Sequence, residues 1–273
     1  MNISDLAITS LETINAFDVT TGDYLFTLDE LQSASIANTQ EKQDITGKGG
    51  RKLDSLKRNK SVTISGNNGL VSGGLLELQT GSKFEQKNTE VMWRDYIAPV
   101  AASGYYTATL NYRPRGTTGD EIDSVHLRLN DGTLYGPITR TTETAPGEGL
   151  YYYNQQRNWI RMNASQPVPW DYVTEVVVCY KRRINAAVLS NESDIYSGKA
   201  TLYIDALAED KCANVYRVQF FIPKADFNGD FTFDMGDNQS VHAFEAESLA
   251  GACGLGGMLW TYTVFGANAE DAA

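Results

Sequence analysis

The sequence predicts a mainly β protein: an antiparallel β-sandwich or barrel with one short flanking α-helix and a long assembly arm. Three observations predict it. From Val91 onward, short alternating runs follow one another between turn signals of Gly, Pro, Asn and Asp, the pattern of an all-β domain. The chain has 273 residues, and its 15 tyrosines and 10 phenylalanines sit in short runs that suit a pleated, half-buried surface. One stretch, Gly69–Thr80, carries Leu70, Val71, Leu75, Leu76 and Leu78, with Leu70, Gly74 and Leu78 at the helical spacing i, i+4 and i+8.

Taken in order, residues 1–22 read as a loosely patterned N-terminal arm, and Tyr24–Leu28 as a short strand. Residues 29–60 form a long polar arm with almost no apolar periodicity. It passes through Ile45, Thr46, Gly47, Lys48, Gly49, Gly50, Arg51 and Lys52. A structureless stretch of that length is unusual inside a compact domain. The expectation is an arm that takes shape only against another chain. Lys48, Arg51, Lys52, Lys57, Arg58 and Lys60 fall within thirteen positions. They read either as a solvated basic loop or as a basic surface that docks on an acidic face of another subunit. Ser61–Ser65 then alternates as a strand, with Val62 and Ile64 on one face. The helix follows, with Gly73 and Gly74 placed for close packing on a sheet.

The remainder is strand after strand. Tyr105–Tyr112 and Ile122–Leu129 alternate, and Asn130-Asp131-Gly132 signals a hairpin into Thr133–Tyr135. Tyr151–Trp159 is aromatic and polar, and either state fits it. Val173–Tyr180 reads as a buried strand, Lys199–Ala206 alternates, and Val215–Ile222 ends at Pro223. Asn228-Gly229 signals a type I′ hairpin. Ser240–Ala246 and Leu259–Phe265 are the last strands, followed by a small acidic tail, Asn268–Ala273. The expected organisation is a core of residues 1–97 and 171–273, with 98–170 as a β-rich insertion or second small module.

Little in the chain points to chemistry. Cys179, Cys212 and Cys253 are odd in number and lack ligand or disulfide spacing, so reduced thiols are expected. His126 and His242 sit in alternating strands and read as structural or surface residues. No Walker loop, dinucleotide fingerprint, zinc-protease motif or nucleophile elbow is present. Asp226–Asp230 resembles the start of a calcium loop, but Phe231 stands where glycine is required and Asp237 where glutamate is required. Gly251–Gly257 lacks the residues of a phosphate cradle. Carboxylate pairs such as Asp120 with Glu121 arise by chance among 34 acids. The reading is therefore no enzyme, no metal and no cofactor. Met1–Asp5 shows no secretory pattern, and no apolar run is long enough to span a membrane. A formal net charge of −11 disfavours a DNA-binding surface, except one built to let DNA pass without adhering.

Two ends of the chain carry a resemblance. Gly47-Lys48-Gly49-Gly50, the Lys60–Ser65 strand and the helix with paired leucines Leu75 and Leu76 resemble the arm, strand and helix of phage major tail (tail tube) proteins. Tyr216–Ala225, His242–Ala246 and Ala252-Cys253-Gly254 before the last strand are also similar to theirs. The resemblance implies a β-sandwich with a flanking helix, whose copies form six-fold rings that stack into a hollow tube. Sheets of neighbouring chains would join around the lumen, and the arm would bridge to the next subunit or ring. Genome would pass through an acidic lumen, and DNA would be a partner only in transit. Sheath, tape-measure, terminator and baseplate proteins are the other expected partners. The expected location is the virion tail, after synthesis in the host cytoplasm. Another virion structural β protein, a capsid decoration or baseplate component, has the same strand pattern. A carbohydrate-binding module would use Trp93, Trp159, Trp170, Trp260 and Tyr151–Tyr153 as stacking platforms.

Overall fold

A computed structural model describes residues 5–233, 241–250 and 256–266. Gly251–Gly254 with Cys253, Asp237 and the tail Asn268–Ala273 lie outside the described residues. The chain runs through β1 (Leu6–Asp18), β2 (Tyr24–Leu28), β3 (Leu31–Thr46), β4 (Lys52–Asn68), α1 (Gly73–Thr80), β5 (Glu85–Ile97), β6 (Val100–Ala102), β7 (Tyr105–Thr109) and β8 (Ser124–Leu129). It continues through β9 (Leu134–Tyr135), β10 (Thr139–Thr141), β11 (Leu150–Asn154), β12 (Trp159–Asn163), β13 (Val173–Val188), β14 (Lys199–Asp210), β15 (Val215–Phe227), β16 (His242–Ser248) and β17 (Thr261–Gly266). The protein is mainly β, its sheets are antiparallel apart from the short β10–β11 pair, and no barrel closes.

Two compact units result: residues 1–84 with 189–273, and residues 85–188. The first is an eight-stranded sheet in the order β2-β1-β14-β15-β16-β4-β3, with β17 also paired to β15. Alternate residues of these strands share one core, which includes Ile14, Phe26, Leu28, Val62, Ile64, Leu202, Ile222 and Phe244. Helix α1 packs Leu75 into it. Ser72 caps the helix, its hydroxyl accepting from the Leu75 N–H, so the helix starts later than the leucine spacing alone implies. Gly74 is required where the helix meets β2, because a Cβ there would lie 2.6 Å from that of Phe26. His242 on β16 is fully buried beside the helix. Its Nδ1 accepts from the Ser72 N–H and its Nε2 donates to the Gln79 side chain at 2.8 Å.

The second unit holds a five-stranded sheet, β10-β11-β12-β7-β6, and a four-stranded sheet, β5-β13-β8-β9. Its core gathers Leu127, Tyr151, Tyr153, Ile160, Met162, Val176, Val178 and Tyr180. The chain enters at Glu85 and leaves at Val188, which face each other across the β5–β13 ladder. Asp95 is buried without a cation and accepts from Trp93 Nε1, the Asn111 backbone and side chain, and Tyr180 Oη.

Several expectations are corrected. Within the stretch 1–22 expected to be a loose arm, Leu6–Asp18 is a strand, β1, paired along its whole length with β14. Tyr151–Trp159 resolves into the β11–β12 hairpin. Pro223 does not stop β15. It lies in a bulge where Thr201 alone opposes Pro223 and Lys224, and where the strand changes partner from β17 to β16. A proline costs no ladder bond at such a place. Asn228-Gly229 is no type I′ turn, since neither residue has a positive φ. Instead the Asn228 N–H donates to the Glu245 carbonyl, carrying the ladder past β15.

Candidate assembly interface

The polar arm is a β-hairpin, which corrects the expectation of an arm without structure of its own. β3 and β4 pair from Leu31↔Asn68 to Thr46↔Lys52. Its base belongs to the sheet, where β16 covers β4 as far as Thr63. Beyond that, residues 40–60 pair only with each other, and all are exposed apart from half-buried Gly47 and Ser55. At about 3.3 Å per residue this ribbon projects by roughly 25 Å.

Local chemistry shapes it at both ends. Where it leaves the sheet, Asn59 is an extra residue with φ 50°, a left-handed conformation that asparagine tolerates. Its side chain donates to Glu41 at 2.6 Å. A bulge of this kind bends the ribbon and re-aims it. At the tip, Gly49 and Gly50 take φ 80° and 76°, a turn that side chains would strain. The Gly47 N–H donates to Arg51 and the Gly50 N–H to Gly47.

The structure places the ten arm residues picked from the sequence along this ribbon. Gly47, Lys48, Gly49, Gly50 and Arg51 form the turn, while Ile45, Lys52, Lys57, Arg58 and Lys60 lie on the strands. Lys52 pairs with Asp44 at 2.6 Å. Lys57 stands opposite Lys42, a like-charge pair that weakens an isolated ribbon. Three apolar side chains near the tip face water: Ile45, Leu53 and Leu56 are 39%, 62% and 52% exposed. Antiparallel pairing of Ile45 with Asp54 and Gln43 with Leu56 puts Ile45 and Leu56 on one face. Between residues 41 and 60 lie seven lysines and arginines and three acids. The rest of residues 1–84 and 189–273 holds five basic residues and twenty acids.

A second feature escaped the sequence. Among the described residues, β2 covers β1 only along Ile14–Phe17, so Leu6–Thr13 presents an unpaired edge. Among the described residues the outer edge of β3 is unpaired as well, because β3 ends the sheet. Between these edges the sheet opens an apolar groove of about 470 Å³, whose lining includes Ile8, Leu11, Ile36, Ile204, Phe220 and Trp260. Ile8 is 56% exposed. Exposed backbone edges and a wet apolar floor in one place are the attributes of a strand- or hairpin-accepting surface.

The aromatic residues considered as sugar platforms are placed otherwise. Tyr151, Tyr153 and Trp170 are buried, and Trp170 stacks on Tyr106 at 4.0 Å. Trp93 lies edge-on to Tyr112, and Arg182 covers both rings. Trp260 packs on Phe220 in the groove. Among the described residues, no three His, Cys, Asp or Glu side chains gather to hold a metal ion, and no helix is long and apolar enough to cross a membrane.

The model of the YomU/Tube protein family matches residues 6–254, nearly the whole chain. No curated protein matches it.

Proposed function

This chain belongs to the YomU/Tube protein family, a family of phage-derived tube proteins, and on that footing we propose that it is the structural subunit of a phage tail tube. The subunits form six-fold rings that stack into a channel for genome delivery. Sheets of neighbouring chains join around the lumen, and the hairpin arm reaches a further subunit. Such head-to-tail contacts generate rings and stacks rather than closed pairs. The lumen is acidic, because a basic wall would retain the phosphates of passing DNA. The tube meets tape-measure, terminator and baseplate proteins at its ends and inside, and a sheath where the tail contracts. It resides in the virion tail, and its role is architectural, not catalytic.

The observation that carries this reading is the projecting arm. A two-stranded ribbon of this length, with both faces in water and Lys57 opposite Lys42, gains little stability by itself. It makes physical sense as an element completed by a neighbour. Negative-stain electron microscopy of the purified protein tests the proposal. Tubes of stacked rings are expected above a critical concentration. A variant with residues 40–60 replaced by a short turn should stay folded and monomeric. Tubes formed by that variant would overturn the role given to the arm.

A further inference from the structure

The tip of the arm and the groove between β1 and β3 are each incomplete, and the geometry points to one filling the other between two copies of the chain. The hairpin tip of one subunit, with Ile45 and Leu56 on one face, seats in the groove floored by Ile36, Phe220 and Trp260 of the next. This rests on the tube reading and adds to it the receiving site of the arm.

The occupant cannot be the chain's own tip. Ile36 in the groove and Ile45 at the tip lie nine residues apart on the same strand. An extended strand holds them roughly 30 Å apart, and a paired ribbon cannot fold back across that interval. A second copy supplies the tip without strain. Composition agrees on both sides. The arm brings exposed apolar residues to a groove of about 470 Å³ that is wet and apolar. It also brings seven basic residues to a body that holds twenty acids and five basic residues outside the arm. Charge then steers the approach, and the apolar contact holds it. The unpaired backbone of Leu6–Thr13 and of β3 lies along the groove, available for strand addition by the incoming ribbon. Each subunit gives a tip and takes a tip, so the contact is head-to-tail and extends the assembly beyond a closed pair.

Cysteine exchange between two variants tests the pairing. Chains carrying Leu56→Cys are mixed with chains carrying Ile8→Cys or Ile36→Cys, assembled, oxidised mildly, and digested for mass spectrometry. A disulfide between position 56 of one variant and position 8 or 36 of the other is expected, and in the mixture it joins two different molecules. In parallel, Leu56→Asp should raise the concentration at which polymer appears roughly tenfold or more. Polymer that assembles normally with Leu56→Asp and yields no such disulfide overturns the groove as the arm's receiver and leaves the tube reading standing. Protein that never polymerises under any condition overturns both. In a chain carrying both Ile36→Cys and Leu56→Cys, a disulfide formed within one molecule would place the tip in its own groove and overturn the exchange between copies.

Discussion

Glu121 is 2% exposed and pairs with Arg140. Burial pushes its carboxyl up, but hydrogen bonds from Arg140 and from the Gly119 N–H outweigh this and hold it below the ordinary value. Removing the cation leaves a buried charge without compensation. Arg140→Ala should therefore destabilise residues 85–188 by about 3 kcal/mol in urea unfolding, while the double change of Glu121 to Leu and Arg140 to Met should recover most of the loss. The pKa of His242 is lowered too, but by burial itself. Its Nδ1 is committed as an acceptor. The unfolded chain takes up the proton first, so stability is full above about pH 6.5 and declines as the pH falls below it. Melting temperatures between pH 7.5 and 5.5 should show this decline, and His242→Gln should flatten it. A melting curve equally steep in the variant would remove His242 as the cause. The structural reading of this histidine followed from its place in an alternating strand, but Gln79 and Ser72 are 163 and 170 residues away, and no local pattern announces them.

Among the elements, legibility tracked burial on one face. Tyr24–Leu28 and the Val62–Ile64 stretch alternate cleanly, because one side of each meets the core. β1 went unread because bulges between Ile8 and Ser10 and between Leu11 and Thr13 shift its phase twice. Leu6, Ile8, Leu11 and Ile14 therefore match no single period. The arm failed for a different reason: with both faces in water it has no apolar side to repeat. Its length and basic charge were visible, its hairpin was not, and the groove needs β1 and β3 together, strands that only the fold brings side by side. Asn59 sets the direction of the arm through its positive φ. A β-branched residue is a genuine outlier there. Asn59→Val should therefore lower stability by about 1 kcal/mol and reduce tube yield in sedimentation assays, while Asn59→Gly should keep both near wild type. Equal yields from the two variants would separate the bulge from assembly.

For the molecule as a whole, charge and connectivity divide along the same line. Residues 85–188 hold eleven basic and eleven acidic side chains, so the formal charge of −11 belongs entirely to the other unit. Each unit has a core of its own. Replacing residues 85–188 by a two-residue turn should leave a protein with native β circular dichroism and a single cooperative melt. If the remainder is molten instead, the two cores are not independent. Glu85 and Val188 are Cα partners, which antiparallel pairing sets about 5 Å apart. A tight pair of ends is a socket: any foreign domain whose own termini lie close together could be plugged in there, one cargo for each copy of the chain.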